Sequence, residues 1–274
     1  MGLPGSSFNV IRYPFILSRV ELAKTTTTET GPNGSVVSTK EYKYNPVNHQ
    51  VSQIDEKASL PNQFRRTKIT YSADGTDNIS KSMKNAHWLN NVIENKVFLV
   101  ENNQEKNCIS TQHTYYDMIN SSSCFLPKSY ATSIGSNALE TRAKYSYDKK
   151  GNVSSIEVDG IETVYIWSYL GHYPIAKIEG LTLAAIGEST INSLLDKAAP
   201  TASDLSSLRT KINSAGGHIT TYTFKPLVGM TSQTLPNGLT VNYEYDAFGR
   251  LTKASDPQGV MQKYRYNYKK SSGK

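Results

Sequence analysis

Cysteine is nearly missing from this sequence: Cys108 and Cys124 are the only two in 274 residues, sixteen positions apart. A small fold stapled by disulfides is therefore excluded, and neither thiol has the nearby Cys or His residues of a structural zinc site. One bridge between them and two separate thiols are both compatible with the spacing. Tryptophan occurs twice and histidine five times. His49, His87, His113, His172 and His218 are scattered, with no two of them two or four positions apart. No metal or other cofactor is expected from them. No window approaches the ~18 apolar residues of a membrane helix. The first twenty residues lack a basic segment, a clean apolar run and a small-residue cleavage site, so they carry no readable export signal. The chain reads as soluble.

Signatures of chemistry are missing as well. There is no G-x-S-x-G elbow, no H-E-x-x-H, no P-loop and no G-x-G-x-x-G after a strand. The reading is non-enzymatic, although paired carboxylates of the glycosidase kind need not be sequence neighbours. The formal charge is +7 and the pI near 9.1. Yet the densest basic spots, Arg65-Arg66 with Lys68, Lys149-Lys150 and Lys269-Lys270, fall short of the run of five or more that marks an interaction tail. With no RNP, helix-turn-helix or finger pattern, a nucleic-acid partner is not expected.

What the sequence has is tyrosine, 18 residues beside 7 phenylalanines. Tyrosine suits half-buried strand positions, with the ring packed and the hydroxyl wet. The rings come in couplets: Tyr222/Phe224, Tyr243/Tyr245 and Tyr264/Tyr266, whose first members are 21 residues apart (243 − 222 and 264 − 243). A fixed period means repeated structure. The i, i+2 spacing puts both rings on one face of a strand, where one repeat is expected to stack its rings on the next. After Tyr243 and Tyr245 come Asp246, Gly249, Arg250 and Leu251. Asp246 suits a turn it can hydrogen-bond, and Gly249 a positive φ. A second copy runs Tyr145-Ser146-Tyr147-Asp148-Lys149-Lys150-Gly151-Asn152-Val153, followed twenty residues on by Tyr165 and Trp167. These aspartates are expected to do turn chemistry.

The Tyr-x-Tyr-Asp-x-x-Gly units resemble the YD repeat of the Rhs family, found in polymorphic toxins, toxin-complex shells, cell-wall-associated proteins and teneurins. The text around Trp167–Ala176 and Tyr222–Thr231 resembles the short Rhs-repeat proteins of gut Bacteroidetes. The resemblance covers residues 140–268 well and the first half weakly. It implies a mainly β fold, in which antiparallel hairpins form a curved, twisted, shell-like sheet. It also implies a structural scaffold module of an exported or cell-surface protein or a toxin-delivery shell, whose partners are neighbouring repeats of a longer chain or other envelope proteins. In toxin relatives the shell ends in an aspartyl autoprotease and a toxic domain. Nothing after Tyr268 has room for either, so the repeat scaffold alone is expected here. The alternative is a surface adhesin or carbohydrate-binding module that stacks sugars on Trp88, Trp167 and Tyr169.

In chain order, Val20–Leu22 and Val36–Tyr44 flank a turn at Gly31-Pro32-Asn33-Gly34 and read as a hairpin. Tyr42, Tyr44 and Asn45 begin a degenerate unit without a turn glycine. Arg66–Tyr71 reads as a strand running into Asp74-Gly75. Residues 79–90 read as a short helix on the sheet. Val92–Glu101 and Asn107–Tyr116 form a longer hairpin, and Cys124–Ser133, containing Pro127, reads as an edge strand. Leu181 to Asn213 departs from β patterning. Ile191, Leu194, Leu195 and Ala198 form one helical stripe stopped by Pro200, and Leu205, Leu208 and Ile212 form another ending near Gly216-Gly217. The reading is a helical insertion at 181–214, a flap on one edge of the sheet. Tyr264–Tyr268 reads as a last strand, before a disordered tail at 269–274. The division expected is a β-rich part at 1–139 and a repeat region at 140–268.

Overall fold

Along Thr240–Tyr245, Val241, Tyr243 and Tyr245 are half-buried, while Asn242 and Glu244 are exposed. This period-two alternation marks a strand with one covered face. The computed structural model describes residues 18–266 except 33, 58, 59, 61 and 120–123. The first hairpin is β1 (Lys24–Gly31) and β2 (Gly34–Tyr44), followed by β3 (Val51–Lys57), β4 (Gln63–Tyr71) and α1 (Asn78–Asn85). Then come β5 (Val92–Glu101), β6 (Gln104–Ile119), β7 (Cys124–Ile134), β8 (Glu140–Tyr147), β9 (Val153–Val158), β10 (Ile161–Ser168) and β11 (Tyr173–Glu179). Three helices intervene: α2 (Leu183–Ile186), α3 (Glu188–Leu195) and α4 (Ala202–Ser214). The chain closes with β12 (His218–Lys225), β13 (Gly229–Thr234), β14 (Thr240–Tyr245), β15 (Leu251–Asp256) and β16 (Gly259–Lys263).

Among the described residues sixteen strands join one antiparallel sheet in strict chain order, so each strand pairs with its sequence neighbours and β1 and β16 stand at its two ends. Tight turns make this order possible. Asn102 and Asn103 (φ 49° and 63°) join β5 to β6, and Asp159 and Gly160 (φ 49° and 81°) join β9 to β10. Positive φ at both central positions gives the turn whose twist matches the strands.

The main apolar core is not spread evenly along this ribbon. It lies where α3 and α4 cover β10–β12, with Val164, Ile166, Ile178 and Ile219 below and Ile186, Ile191, Leu194, Leu208 and Ile212 above. The insertion is thus a lid over the tenth to twelfth strands, and not a flap on an edge. A strip of exposed edge could not have buried these side chains, each of which contributes about 1.5–3 kcal/mol when covered. The helix starting at Glu188 ends at Leu195, capped at Asp196, so Ala198 lies outside it and Pro200 is not its stop. Thr201 and Asp204 form a capping box at the start of α4. The helix expected at 79–90 spans Asn78–Asn85, with Asp77 accepting from the Ser80 amide at 3.0 Å and Met83 fully buried.

Three further differences have physical causes. Strand β7 is interior, between β6 and β8, and tolerates Pro127 because the β6–β7 register shifts between Tyr115 and Tyr116, next to the proline. Strand β11, with Pro174 at its own register shift, went unread because the proline masks Ile175, Ala176 and Ile178. The last strand is Gly259–Lys263 and stops before Tyr264, since among the described residues only β15 lies alongside. Residues 1–17 and 267–274, including the tail expected to be disordered and Tyr268, lie outside the described residues.

The two thiols are free. Cys124 faces Ile119, eleven residues along β6 from Cys108. At ~3.3 Å per residue that is about 36 Å. The sheet therefore rules out a bridge between them.

Candidate functional site

Among the described residues seven strand pairs share a register shift at an aromatic of the outgoing strand. Tyr44 faces Val51, Tyr71 faces Val92, Tyr116 faces Pro127 and Tyr147 faces Val153. Trp167 faces Pro174, Phe224 faces Met230 and Tyr245 faces Leu251. In every case one residue of the returning strand is skipped. That is a β-bulge, which bends the strand and raises its local twist.

The polar tips of these aromatics then link one hairpin to the one before. The Tyr71 hydroxyl donates to the Val51 carbonyl at 2.7 Å, and Val51 is the residue facing Tyr44. Tyr116 donates to Val92 at 3.1 Å and Tyr147 to Pro127 at 2.7 Å. Trp167 Nε1 donates to Val153 at 2.8 Å. Tyr245 donates to Met230 at 2.7 Å and Tyr266 to Leu251 at 2.8 Å. Each acceptor is the residue opposite the preceding rung. Successive couplets occupy alternate strands, two strand spacings or about 9–10 Å apart. Among the described residues their rings do not stack across that gap as expected. The polar tip instead reaches a carbonyl on the strand that lies between them.

The ladder has one break. Phe224 has no hydroxyl to reach the Pro174 carbonyl. Here the buried Tyr169 hydroxyl accepts from the Phe224 amide at 2.9 Å and donates to the Phe224 carbonyl at 3.0 Å. The Tyr173 ring stacks on Phe224 with centroids 4.9 Å apart. The break coincides with the helical insertion, whose core replaces the missing rung.

The turns after the couplets share one geometry. The Asp246 carboxylate accepts from the Phe248 amide at 2.9 Å and the Arg250 amide at 3.1 Å, while Gly249 takes φ 74°. Asp148 accepts from the Lys150 and Asn152 amides at 2.8 and 3.0 Å, and Gly151 takes φ 85°. In the degenerate unit Asn45 accepts from Val47 at 2.8 Å, and His49 takes φ 58° where a glycine would stand. The amide oxygen does the carboxylate's work, at the ~1–2 kcal/mol that a left-handed residue with a Cβ costs. Asp246 also pairs with Arg250, whose Nε donates at 2.8 Å. That pairing, and then the turn amides, hold its carboxyl below the usual range. Tyr145 and Tyr243 stand on β8 and β14 beside their ladder partners Tyr147 and Tyr245.

Two open polar grooves accompany the sheet. The larger, about 740 Å³, is lined by Glu41, Asp55, Lys57, Asn62 and Arg66. Several of its charges are paired: Arg66 holds Asp55 through two 2.8 Å bonds, Lys24 meets Glu41 at 3.0 Å, and nearby Glu105 meets Arg66 at 3.2 Å and Lys68 at 2.6 Å. Lys68, then Arg66, pull Glu105 below the ordinary carboxylate range. A general acid needs the opposite shift. The second groove, about 550 Å³, runs between α4 and the hydroxyls of Thr221, Thr223, Ser232 and Thr234. There Arg209 donates to the carbonyls of Ile219, Thr234 and Leu235 at 3.1, 3.2 and 2.7 Å. Burial lowers its pKa. It acts as a staple between α4 and the ends of the strands.

The aromatics named as sugar platforms are engaged elsewhere. Trp88 meets Phe125 edge-on, Trp167 is a rung of the ladder, and Tyr169 is 7% exposed. Among the described residues no three His, Cys, Asp or Glu side chains stand together as a metal site, and no helix is long and apolar enough to cross a membrane. The rungs at Tyr71 and Tyr116 are not legible in sequence because neither stands in a full Tyr-x-Tyr-Asp-x-x-Gly unit: Ser72 follows Tyr71, and Tyr116-Asp117 lacks both the first tyrosine and the turn glycine.

An open sheet wound strictly in chain order, with a bulged aromatic recurring at every second strand pair, defines a β-hairpin-repeat protein. Residues 229–261, from β13 into β16, match the family model RHS Repeat, and the chain carries that repeat there. No curated protein matches the chain. Similar solved structures include TcdB2-TccC3 without its hypervariable C-terminal region, at 12% identity and TM-score 0.38, covering 85% of this chain and 11% of that one. Another is TcdB2-TccC3-Cdc42, at 12% identity and TM-score 0.27, covering 88% and 15%. A third is the Photorhabdus luminescens Tc holotoxin pore with a TccC3 mutation, at 11% identity and TM-score 0.26, covering 85% and 15%. The chain spans between 11% and 15% of the length of these three.

Proposed function

We propose that this chain is a non-enzymatic structural module, a section of Rhs-type sheet belonging to an exported or cell-surface protein or a toxin-delivery shell. The observation that carries the reading is the ladder. The residues a sequence search would single out, Tyr145, Tyr147, Asp148, Gly151, Tyr243, Tyr245, Asp246, Gly249 and Arg250, serve as hairpin and turn parts: the Tyr147 and Tyr245 hydroxyls and the Asp148 and Asp246 carboxylates meet backbone groups, and Arg250 meets Asp246. Such a repeat gains stability from neighbouring units, and its natural partners are further repeats of the same kind or the envelope proteins it joins.

The test is deletion of Tyr243–Leu251, which removes one rung, one bulge and one turn. The variant is expected to lose cooperative unfolding, read by urea titration with far-UV circular dichroism. A deletion protein that melts like the parent overturns the reading. A saturable ligand on a glycan array would do so too, because a wall needs no soluble partner.

A further inference from the structure

Arg209 spends only part of its guanidinium on the staple between α4 and the strand ends. A guanidinium carries five N–H groups, one on Nε and two on each terminal nitrogen. Nη1 donates to the Ile219 and Thr234 carbonyls at 3.1 and 3.2 Å and lies 3.4 Å from Thr221 Oγ1, while Nη2 donates once, to the Leu235 carbonyl at 2.7 Å. The Nε hydrogen and one hydrogen on Nη2 are left without a partner among the described residues. In Arg66 those same two nitrogens hold Asp55, each at 2.8 Å, and in Arg250 they hold Asp246. Arg209 has no such carboxylate among the described residues, and burial lowers its pKa with no acidic neighbour to oppose it.

The groove that Arg209 lines suits a polar chain. On the helix-covered face of β12, Ile219 belongs to the core, and the next two residues of that face are Thr221 and Thr223. Thr221 faces Thr234 and Thr223 faces Ser232 on β13. Two hydroxyl pairs therefore stand side by side, two residues or about 6.6–6.8 Å apart along the strands. An extended peptide repeats its backbone groups at that same interval, and hydroxyls both donate and accept. Arg209 is the one charged side chain among the described residues that line the groove, so the charge to be met is single. A carboxylate matches that charge and the two-hydrogen fork, whereas a phosphate dianion calls for a second cation.

We propose that the groove between α4 and β12–β13 is a docking site for an acidic peptide segment of a partner protein. Its Asp or Glu carboxylate sits on the Nε–Nη2 edge of Arg209, and its extended backbone runs along the two hydroxyl pairs. No rung of the ladder lines the groove, so the site stands apart from the scaffold role.

The probe is a capped pentapeptide, Ser-Thr-Asp-Thr-Ser, titrated into the full chain at pH 6.5 and low salt. The readout is the proton–nitrogen resonance of the Arg209 Nε–H, assigned by its loss in Arg209→Lys. That proton is expected to move downfield and saturate, with a midpoint at least tenfold lower than for the peptide carrying Asn in place of Asp, for acetate or for inorganic phosphate. A resonance that does not move, or a midpoint for any of those three equal to or below that of the Asp peptide, overturns the proposal. Ser206 is exposed and stands three residues before Arg209 on α4, within reach of its fork. Ser206→Glu is therefore expected to plug the site and abolish the response, while Ser206→Gln keeps it and both keep the parental far-UV circular dichroism. Peptide binding unchanged in Ser206→Glu also overturns the proposal, and because neither variant touches the ladder, that result leaves the scaffold reading standing.

Discussion

The Tyr245 phenol lies over Gly229 so closely that a Cβ there would come within 2.5 Å of its oxygen and 2.8 Å of Cζ. The same phenol reaches the Met230 carbonyl one residue further on. Glycine at 229 is therefore a condition of the rung. Gly229→Ala is expected to cost about 1–3 kcal/mol by overpacking. Tyr245→Phe is expected to cost about 1 kcal/mol for the lost hydrogen bond. Because both act on one rung, the double variant should lose less than the sum, read from urea midpoints at constant slope.

A rung must carry its proton to donate. Burial raises the phenol pKa of Tyr71, Tyr116, Tyr147 and Tyr245 above the ordinary value. A folded pKa above the unfolded value of about 10 means the contribution is whole below pH ~10 and is lost as pH rises through the folded value. Stability measured between pH 8 and 11.5 should be level at first and fall beyond about pH 10. Tyr147→Phe should make that fall shallower.

Asp246 has the opposite sign. Its carboxyl is depressed, chiefly by Arg250, so its contribution is present above the unfolded pKa of about 4 and lost as pH falls through the folded value. Asp246→Asn keeps an acceptor for the turn amides, as Asn45 does in its own turn. It should cost less than Asp246→Ala at pH 7 and should flatten the acid limb below pH 4. Thermal melts from pH 2.5 to 7 check both.

The insertion core is expected to matter more than its separation from the repeat text suggests. Leu195 and Ile212 are at most 1% exposed. Leu195→Ala or Ile212→Ala should cost about 2–5 kcal/mol. Leu227, 99% exposed, should change stability by less than about 0.5 kcal/mol when truncated.

Oxidation should leave the chain unbridged internally. With Cys108 and Cys124 about 36 Å apart along the sheet, both thiols should alkylate in denaturant without reductant. An intact-mass measurement should show two additions per chain.

The sequence by itself determined the class of fold, the hairpin at Gly31–Gly34, the turn roles of Asp148 and Asp246, and the helical character of 181–214. These follow from local rules: couplet spacing, glycines at positive φ and 3.6-residue stripes act over a few neighbouring residues. Tertiary structure decided where the insertion lies, that Pro127 and Pro174 sit in interior strands, and that the aromatic tips reach a carbonyl on the neighbouring strand while the rings do not stack on one another. Each of those depends on register, and a bulge moves register by one residue without leaving a mark in composition. The ladder is written in residues six to twenty-four positions apart, and only pairing brings them together.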